Sequence, residues 1–318
     1  MKKIGIMTPC FNEEENVKEL YSRIKKVFQG LNYEYEHLFV DNCSTDNTVK
    51  ILEDIAYSDK NIKIIVNSRN FGHIRSPMHG LLQAEGDAII VMCSDLQDPP
   101  ELIPEFIKKW EEGYKIVLGK KTRSKENKFI YPLRTLYYRF LKKISEVELL
   151  ENVTGFGLYD RTIIEIIKDL NEPYPYTRGI ICEIGFEKAF IEYTQPKRKH
   201  GITKNNFYTL YDMAMLGITS YSKVPLRIAA IAGFCMSILS LIIALTYLIL
   251  KLIYWERFDA GIAPVLIGIF FFSAIQLFFL GIIGEYIGVL LARVTDRPYV
   301  IEKRRINFDE NANLNMKK

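Results

Sequence analysis

The sequence predicts an α/β domain followed by a pair of membrane-crossing helices, and three observations carry that prediction. Short apolar runs alternate with helically spaced segments through the first 120 residues. Each apolar run ends at polar or glycine-rich residues. Nearer the C-terminus, Ile228 to Leu250 and Gly261 to Gly284 are free of charge.

Lys3–Met7, Glu36–Asp41, Ile62–Val66, Ala88–Cys93 and Lys115–Gly119 read as strands. Between them, Glu14–Gln29, Thr45–Tyr57, Ile74–Glu85 and Pro100–Glu112 carry apolar residues at helical spacing. Such alternation builds a largely parallel sheet with helices on both faces, and ligands bind beyond the carboxyl ends of its strands. Candidate functional residues should therefore follow each strand.

Each charge-free run exceeds the roughly 20 residues that a helix needs to cross a bilayer core. Lys223 and Arg227 precede the first; Arg293, Arg297, Lys303, Arg304 and Arg305 follow the second. Positive flanks stay in the cytosol, which places both termini there and the connector outside, with Tyr254 and Trp255 in the interfacial aromatic belt. The expected organisation is a cytosolic domain over 1–205, an interfacial amphipathic helix over 206–227, two transmembrane helices within 228–292 and a cytosolic tail over 293–318. In the interfacial segment Phe207, Leu210, Tyr211, Ala214, Ile218 and Tyr221 share a side, which suits either a helix lying on the membrane or ordinary packing. The N-terminus lacks the long apolar stretch of a signal peptide. Five scattered cysteines form no zinc or redox motif. The net charge of +4 suits an anionic lipid surface and gives no case for nucleic acid.

The strand ends hold the chemistry. After the first strand comes Thr8-Pro9-Cys10-Phe11-Asn12-Glu13-Glu14-Glu15-Asn16, in which Asn12 can cap the next helix. After the second comes Asp41-Asn42-Cys43-Ser44-Thr45-Asp46. Here Ser44 or Thr45 is the expected cap, and the Asp41 carboxylate is free for a ribose or base N–H. After the third, Arg69 within Ser68-Arg69-Asn70-Phe71-Gly72 can meet a pyrophosphate. After the fourth, Ser94-Asp95-Leu96-Gln97-Asp98-Pro99-Pro100-Glu101 offers Asp95 and Gln97 at i and i+2. A hard cation takes one or two such oxygen donors and fills its shell with phosphate and water.

In order, these stretches resemble glycosyltransferase family two, with its GT-A (Rossmann-like) nucleotide-sugar-binding domain. The likeness is nearest to the polyprenyl-phosphate glycosyltransferases, which include bactoprenol glucosyltransferases and dolichol-phosphate mannose synthases. It continues through Gly86-Asp87, Thr154–Arg161, Lys199–Lys204, Ser222–Arg227, Gly284-Glu285-Tyr286 and Arg297-Pro298-Tyr299. The resemblance implies that Pro9, Phe11, Glu13 and Asp41 hold a nucleotide, with Arg69 and Ser94 beside it. It implies that Asp95 and Gln97 hold Mg2+ or Mn2+ at the diphosphate, Asp95 acting in catalysis. A hexose, glucose by expectation, then passes with inversion from a UDP-sugar to polyprenyl (undecaprenyl) phosphate. Arg123, Arg134, Arg139, Arg198 and Lys204 are the cations expected at the acceptor phosphate. Homo-oligomers, a multi-pass seat in the inner membrane and a cytosolic catalytic domain complete the expectation.

Two departures stand out. Cys93 occupies the first carboxylate position of an Asp-x-Asp motif, and Gly155 occupies that of an acceptor-side Asp. Asp160 is the nearest carboxylate and the remaining catalytic candidate, with helix capping as its other reading. The same departures make a catalytically silent scaffold or flippase partner the alternative to a transferase.

Overall fold

The computed structural model describes residues 1–123, 150, 153–172, 175–196, 199, 207–254, 261–295 and 300–308. The first elements are β1 (Lys3–Cys10), α1 (Val17–Gln29), β2 (Glu34–Asp41), α2 (Thr48–Ser58), β3 (Ile62–Asn67), α3 (Gly72–Gln83) and β4 (Ala88–Val91). A 3-10 turn (Pro100–Leu102), α4 (Ile103–Glu111) and β5 (Ile116–Arg123) follow. Next come β6 (Val153–Asp160), α5 (Arg161–Leu170), α6 (Thr177–Glu183), β7 (Lys188–Thr194), α7 (Phe207–Tyr221), α8 (Val224–Ile253), α9 (Ile262–Val294) and β8 (Glu302–Ile306).

These strands form one mixed sheet in the order β7-β5-β6-β4-β1-β2-β3-β8. All five strands expected from the sequence point the same way. The other direction comes from β6, antiparallel to β4 and β5, and from β8, antiparallel to β3. Alternation along β2 sends Phe39 to one face and Leu38 and Val40 to the other. Phe39 joins Ile4, Ile6, Leu20, Leu52 and Phe106 under α1, α2 and α4. Leu38 and Val40 join Met7, Met78, Ile163 and Ile180 under α3, α5 and α6. A sheet covered on both faces reads as near-continuous apolar runs, which is why its central strands were legible. The Gly86-Asp87 pair also has a structural reason. Gly86 sits at φ +140°, and a Cβ there would lie 2.6 Å from the Gly5 nitrogen.

Helices α8 and α9 contain segments long and apolar enough to cross a membrane, Val224–Ile253 and Ile267–Val294, with no part of their apolar windows buried against the rest of the chain. Apolar surface exposed on this scale suits association with a membrane. Helix α7 buries Leu216 and Thr219, and Ile218 and Tyr221 of the expected side pack beside Tyr176. Its Tyr211 hydroxyl donates to Glu285 on α9 at 3.1 Å, giving that carboxylate a partner.

The segment after α9 is not all tail. β8 pairs along β3, and the Asn307 side chain donates to the Ala56 and Ile62 carbonyls at 2.7 and 2.8 Å. Its sequence, Glu-Lys-Arg-Arg-Ile, carries no apolar alternation and was not expected as a strand. Charge is the ordinary dress of an edge strand.

Candidate active site

Four loops leave the carboxyl ends of β1, β2, β3 and β4 and are bonded into one rim. In the first, Asn12 adopts φ +56° and turns its amide toward the second. Its backbone N–H donates to Ser44 Oγ at 2.9 Å, and its Oδ1 accepts from the Thr45 N–H at 2.8 Å. Glu13 N–H donates to Thr48 Oγ1 at 2.8 Å, and Glu14 accepts from the Asn47 backbone and side chain. Asn12 therefore ties two loops together and does not cap α1. Nor do Ser44 or Thr45 cap α2: Asp46 accepts from the Thr48 N–H at 3.0 Å.

A second set of bonds joins β2 to β3. Asn42 Oδ1 accepts from Asn67 Nδ2 and from the Phe71 N–H, while Asn42 Nδ2 donates to Asn70 Oδ1 at 2.9 Å. The fourth loop is fastened to the first by Ser94 Oγ, which donates to the Pro9 carbonyl at 3.1 Å. Buried amides and hydroxyls need partners, and here the Asn12, Asn42 and Ser94 side chains find theirs across the loops.

The rim gathers Pro9, Phe11, Glu13, Asp41, Arg69, Ser94, Asp95 and Gln97 at one end of the sheet, as expected. Pro9 and Phe11 are half-buried. Asp41 is completely buried, and its carboxylate accepts from the Ser44 N–H at 3.0 Å and from the Ser44 hydroxyl, so it is not the free group expected. Burial outweighs these bonds and raises its pKa above the ordinary carboxylate value. Glu13 accepts from Asn16 Nδ2 at 2.6 Å. The Arg69 guanidinium lies 4.0 Å from the centre of the Phe71 ring and donates to the Asn70 carbonyl.

The fourth loop is the most constrained. Leu96 adopts φ +60°, a conformation that leucine rarely takes, and its side chain is buried at 3% exposure. That buried leucine stands between Asp95 and Gln97, which are both half-buried. Asp95 Oδ1 accepts from the Gln97 N–H at 3.2 Å, and Gln97 Nε2 donates to the Pro196 carbonyl at 3.3 Å. Backbone strain of this kind collects at functional loops. Asp98 anchors the loop from inside: it accepts from the Cys93 N–H and the Tyr193 hydroxyl, both at 3.1 Å. Burial pushes its pKa up to about 6. The anchoring role of Asp98, and the Asn42–Asn67–Asn70 bonds, were not foreseen from the sequence, although both stretches had been singled out there.

Beneath this loop a cavity of about 260 Å³ opens between the sheet, α3 and α6, lined among others by His73, Pro77, Cys93, Asp98, Gly155 and Arg178. Gly155 has φ +95°, with nothing within 4 Å of an added Cβ.

Asp160 is corrected. It pairs with Ala88 at the start of β4, at the end of the sheet away from the rim. Its carboxylate caps α5 through the Thr162 N–H at 3.0 Å, accepts from Trp110 Nε1 at 2.7 Å and pairs with Lys115 at 3.0 Å. Burial is outweighed by those donors, which hold it below its ordinary pKa. It has no access to chemistry at the rim. Of the cations expected at the acceptor, Arg123 ends β5 with its side chain undescribed, and Arg134, Arg139, Arg198 and Lys204 lie outside the described residues.

Among the described residues no group of three His, Cys, Asp or Glu side chains converges on a metal position. The donor set of Asp95 and Gln97, one carboxylate and one carboxamide, fits a hard cation whose remaining sites are filled by phosphate oxygens.

Residues 5–167 match the family model described as Glycosyl transferase family 2, a span that takes in the whole rim. The chain belongs to glycosyltransferase family 2. Along nearly its whole length this family 2 chain is 37% identical to "Uncharacterized glycosyltransferase YkcC" of Bacillus subtilis (strain 168), over 94% of this chain and 93% of that protein. It is 35% identical to the bactoprenol glucosyl transferase of Shigella phage SfII, over 95% and 98%. Among solved structures, S. aureus TarS 1–349 in complex with UDP-GlcNAc aligns with a TM-score of 0.40 and 18% identity, over 69% of this chain and 67% of that one. Glucosyl-3-phosphoglycerate synthase from Mycobacterium tuberculosis, in complex with Mn2+, UDP-glucose and phosphoglyceric acid, aligns with a TM-score of 0.43 and 16% identity, over 69% and 78%.

Proposed function

We propose that the chain transfers a hexose, glucose in the first instance, from a UDP-sugar to polyprenyl phosphate at the cytosolic face of the membrane. The observation that carries this reading is the strained Asp95-Leu96-Gln97 loop, fastened into a four-loop rim, in a chain with two long apolar helices. The relative named as a bactoprenol glucosyl transferase supports a lipid-borne acceptor.

In this reading Pro9, Phe11 and the Asp41–Ser44 turn receive the nucleotide, and Glu13 and Ser94 keep that surface in place. Asp95 and Gln97 would hold Mg2+ or Mn2+, which when bound offsets the charge that develops on the departing diphosphate. An acceptor phosphate oxygen attacks the anomeric carbon from the opposite face. The new C–O bond forms as the bond to the diphosphate oxygen breaks, and UDP leaves with that electron pair. The phosphate is already ionised at neutral pH, so positioning cations matter more than a strong base. That requirement accommodates Gly155 where a carboxylate was expected. Arg123, Arg134, Arg139, Arg198 and Lys204 are the proposed cations.

The test is the purified full chain with radiolabelled UDP-glucose, Mg2+ or Mn2+, and undecaprenyl phosphate. Label passing into the organic phase, and lost on chelation, is the expected result. No transfer with any common UDP- or GDP-sugar would favour the silent-scaffold alternative. Asp95→Ala is expected to lower transfer at least about 100-fold with an unchanged melting temperature, because a half-buried loop carboxylate contributes little to folding.

A further inference from the structure

The chain leaving α9 returns to the rim. The Ile301 carbonyl accepts from the Ser68 N–H at 2.9 Å, in the same loop that carries Arg69 and Asn70. One residue later, Glu302 pairs with Asn67 at the end of β3, where the β8 register shifts. The Glu302 side chain, 4% exposed, then reaches α3: His79 Nε2 lies 2.6 Å from its Oε1. Arg305 closes the cluster, donating to Glu302 Oε1 and to Gln83 Oε1, each at 2.7 Å.

His79 and Gln83 are one turn apart on α3, so β8 grips a single stripe of that helix. Other residues of α3, His73, Pro77 and Met78, line the cavity under the Asp98 loop. The loop from 68 to 71 is the direct lead into α3. Both the loop and the helix are thus held from the edge of the sheet by residues that follow the second apolar helix. An edge strand needed only to cover β3 would not require a buried carboxylate held by three donors, since burying a charge is costly unless it is matched.

We infer that Ile301 and Glu302 are positioning residues for the donor side of the rim, holding the Ser68–Gly72 loop in place from strand β8. This rests on the reading of the rim as a nucleotide-sugar site. The held loop keeps Arg69 and the Asn42–Asn70 bond ready for the diphosphate, lowering the ordering cost of donor binding. Glu302 touches no reacting atom; it acts through His79 and the loop.

The experiment uses the full chain in detergent and compares His79→Ala, His79→Gln and Glu302→Gln. Arg304→Ala is the control, since Arg304 lies on the same strand but pairs with Glu53 on α2. His79→Ala and Glu302→Gln are expected to raise the KM for the UDP-sugar about tenfold, with kcat within about twofold and the KM for the lipid unchanged. Hydrogen exchange at the Ser68 amide should quicken in both. His79→Gln, whose amide can still donate to Glu302, should restore most of the loss, and Arg304→Ala should change nothing. Calorimetric titration of the wild-type chain with UDP separates the two failures. A wild type that does not bind UDP overturns the donor reading. A wild type that binds it, with unchanged donor KM and exchange in the variants, overturns the positioning role alone. Loss of kcat in step with melting temperature, without a rise in donor KM, also overturns it.

Discussion

At the scale of single residues, the rim is governed by which carboxylates already have partners. Asp98 is the clearest case, buried and raised to about 6. A carboxyl raised on folding is stabilising while protonated, and that contribution is lost as pH climbs from its unfolded value of about 4 through about 6. Tyr193→Phe removes one of its donors, and the loss matters most when the group is charged. The variant should cost about 1–2 kcal/mol at pH 8 and less at pH 5, measured as thermal midpoints of the solubilised chain. Equal penalties at the two values would contradict the assignment. Asp160 behaves in the opposite sense. Asp160→Asn replaces an acceptor that serves Thr162, Trp110 and Lys115, and should cost about 2 kcal/mol while leaving kcat unchanged. A large fall in kcat without loss of stability would return it to the catalytic list.

At the scale of elements, backbone conformation decides what side chains can do. In β6, the position of the expected acceptor-side carboxylate is held by Gly155 at φ +95°. Space is open there, so Gly155→Ala should be destabilising by about 1–2 kcal/mol through strain and not through crowding. An unchanged melting temperature would show that the strand relaxes. The Leu96 turn works in the same way: a left-handed residue sends the leucine into the core and leaves Asp95 and Gln97 on either side. Neither conformation can be read from residue types, because positive φ at leucine is imposed by surroundings. The helices and central strands were legible for the contrary reason. Their apolar spacing is local and survives whatever the chain packs against.

At the scale of the whole molecule, the two long apolar helices are an insertion between the sheet and its last strand. Cutting the chain after Arg227 would therefore remove two things, the membrane seat and the cover on β3. Such a fragment should aggregate, since an uncovered edge strand templates pairing with other chains. A chain in which residues 224–299 are replaced by a flexible Gly/Ser linker keeps β8. It should stay monodisperse and bind UDP, yet fail to use the long-chain lipid. Monodispersity of the first fragment by light scattering, equal to that of the second, would refute the covering role of β8.

The sequence by itself determined the forward strands, the helices between them, the placing of Asp41, Arg69 and Asp95 at strand ends, and the two apolar helices. All of these rest on periodicity or run length within about 25 residues. Tertiary structure alone decided that Asp160 faces away from the rim and that a charged segment returns to complete the sheet. Asn307 meets the Ile62 carbonyl from 245 residues away. Antiparallel register put Asp160 at the far end, and pairing across such a separation leaves no trace in local pattern.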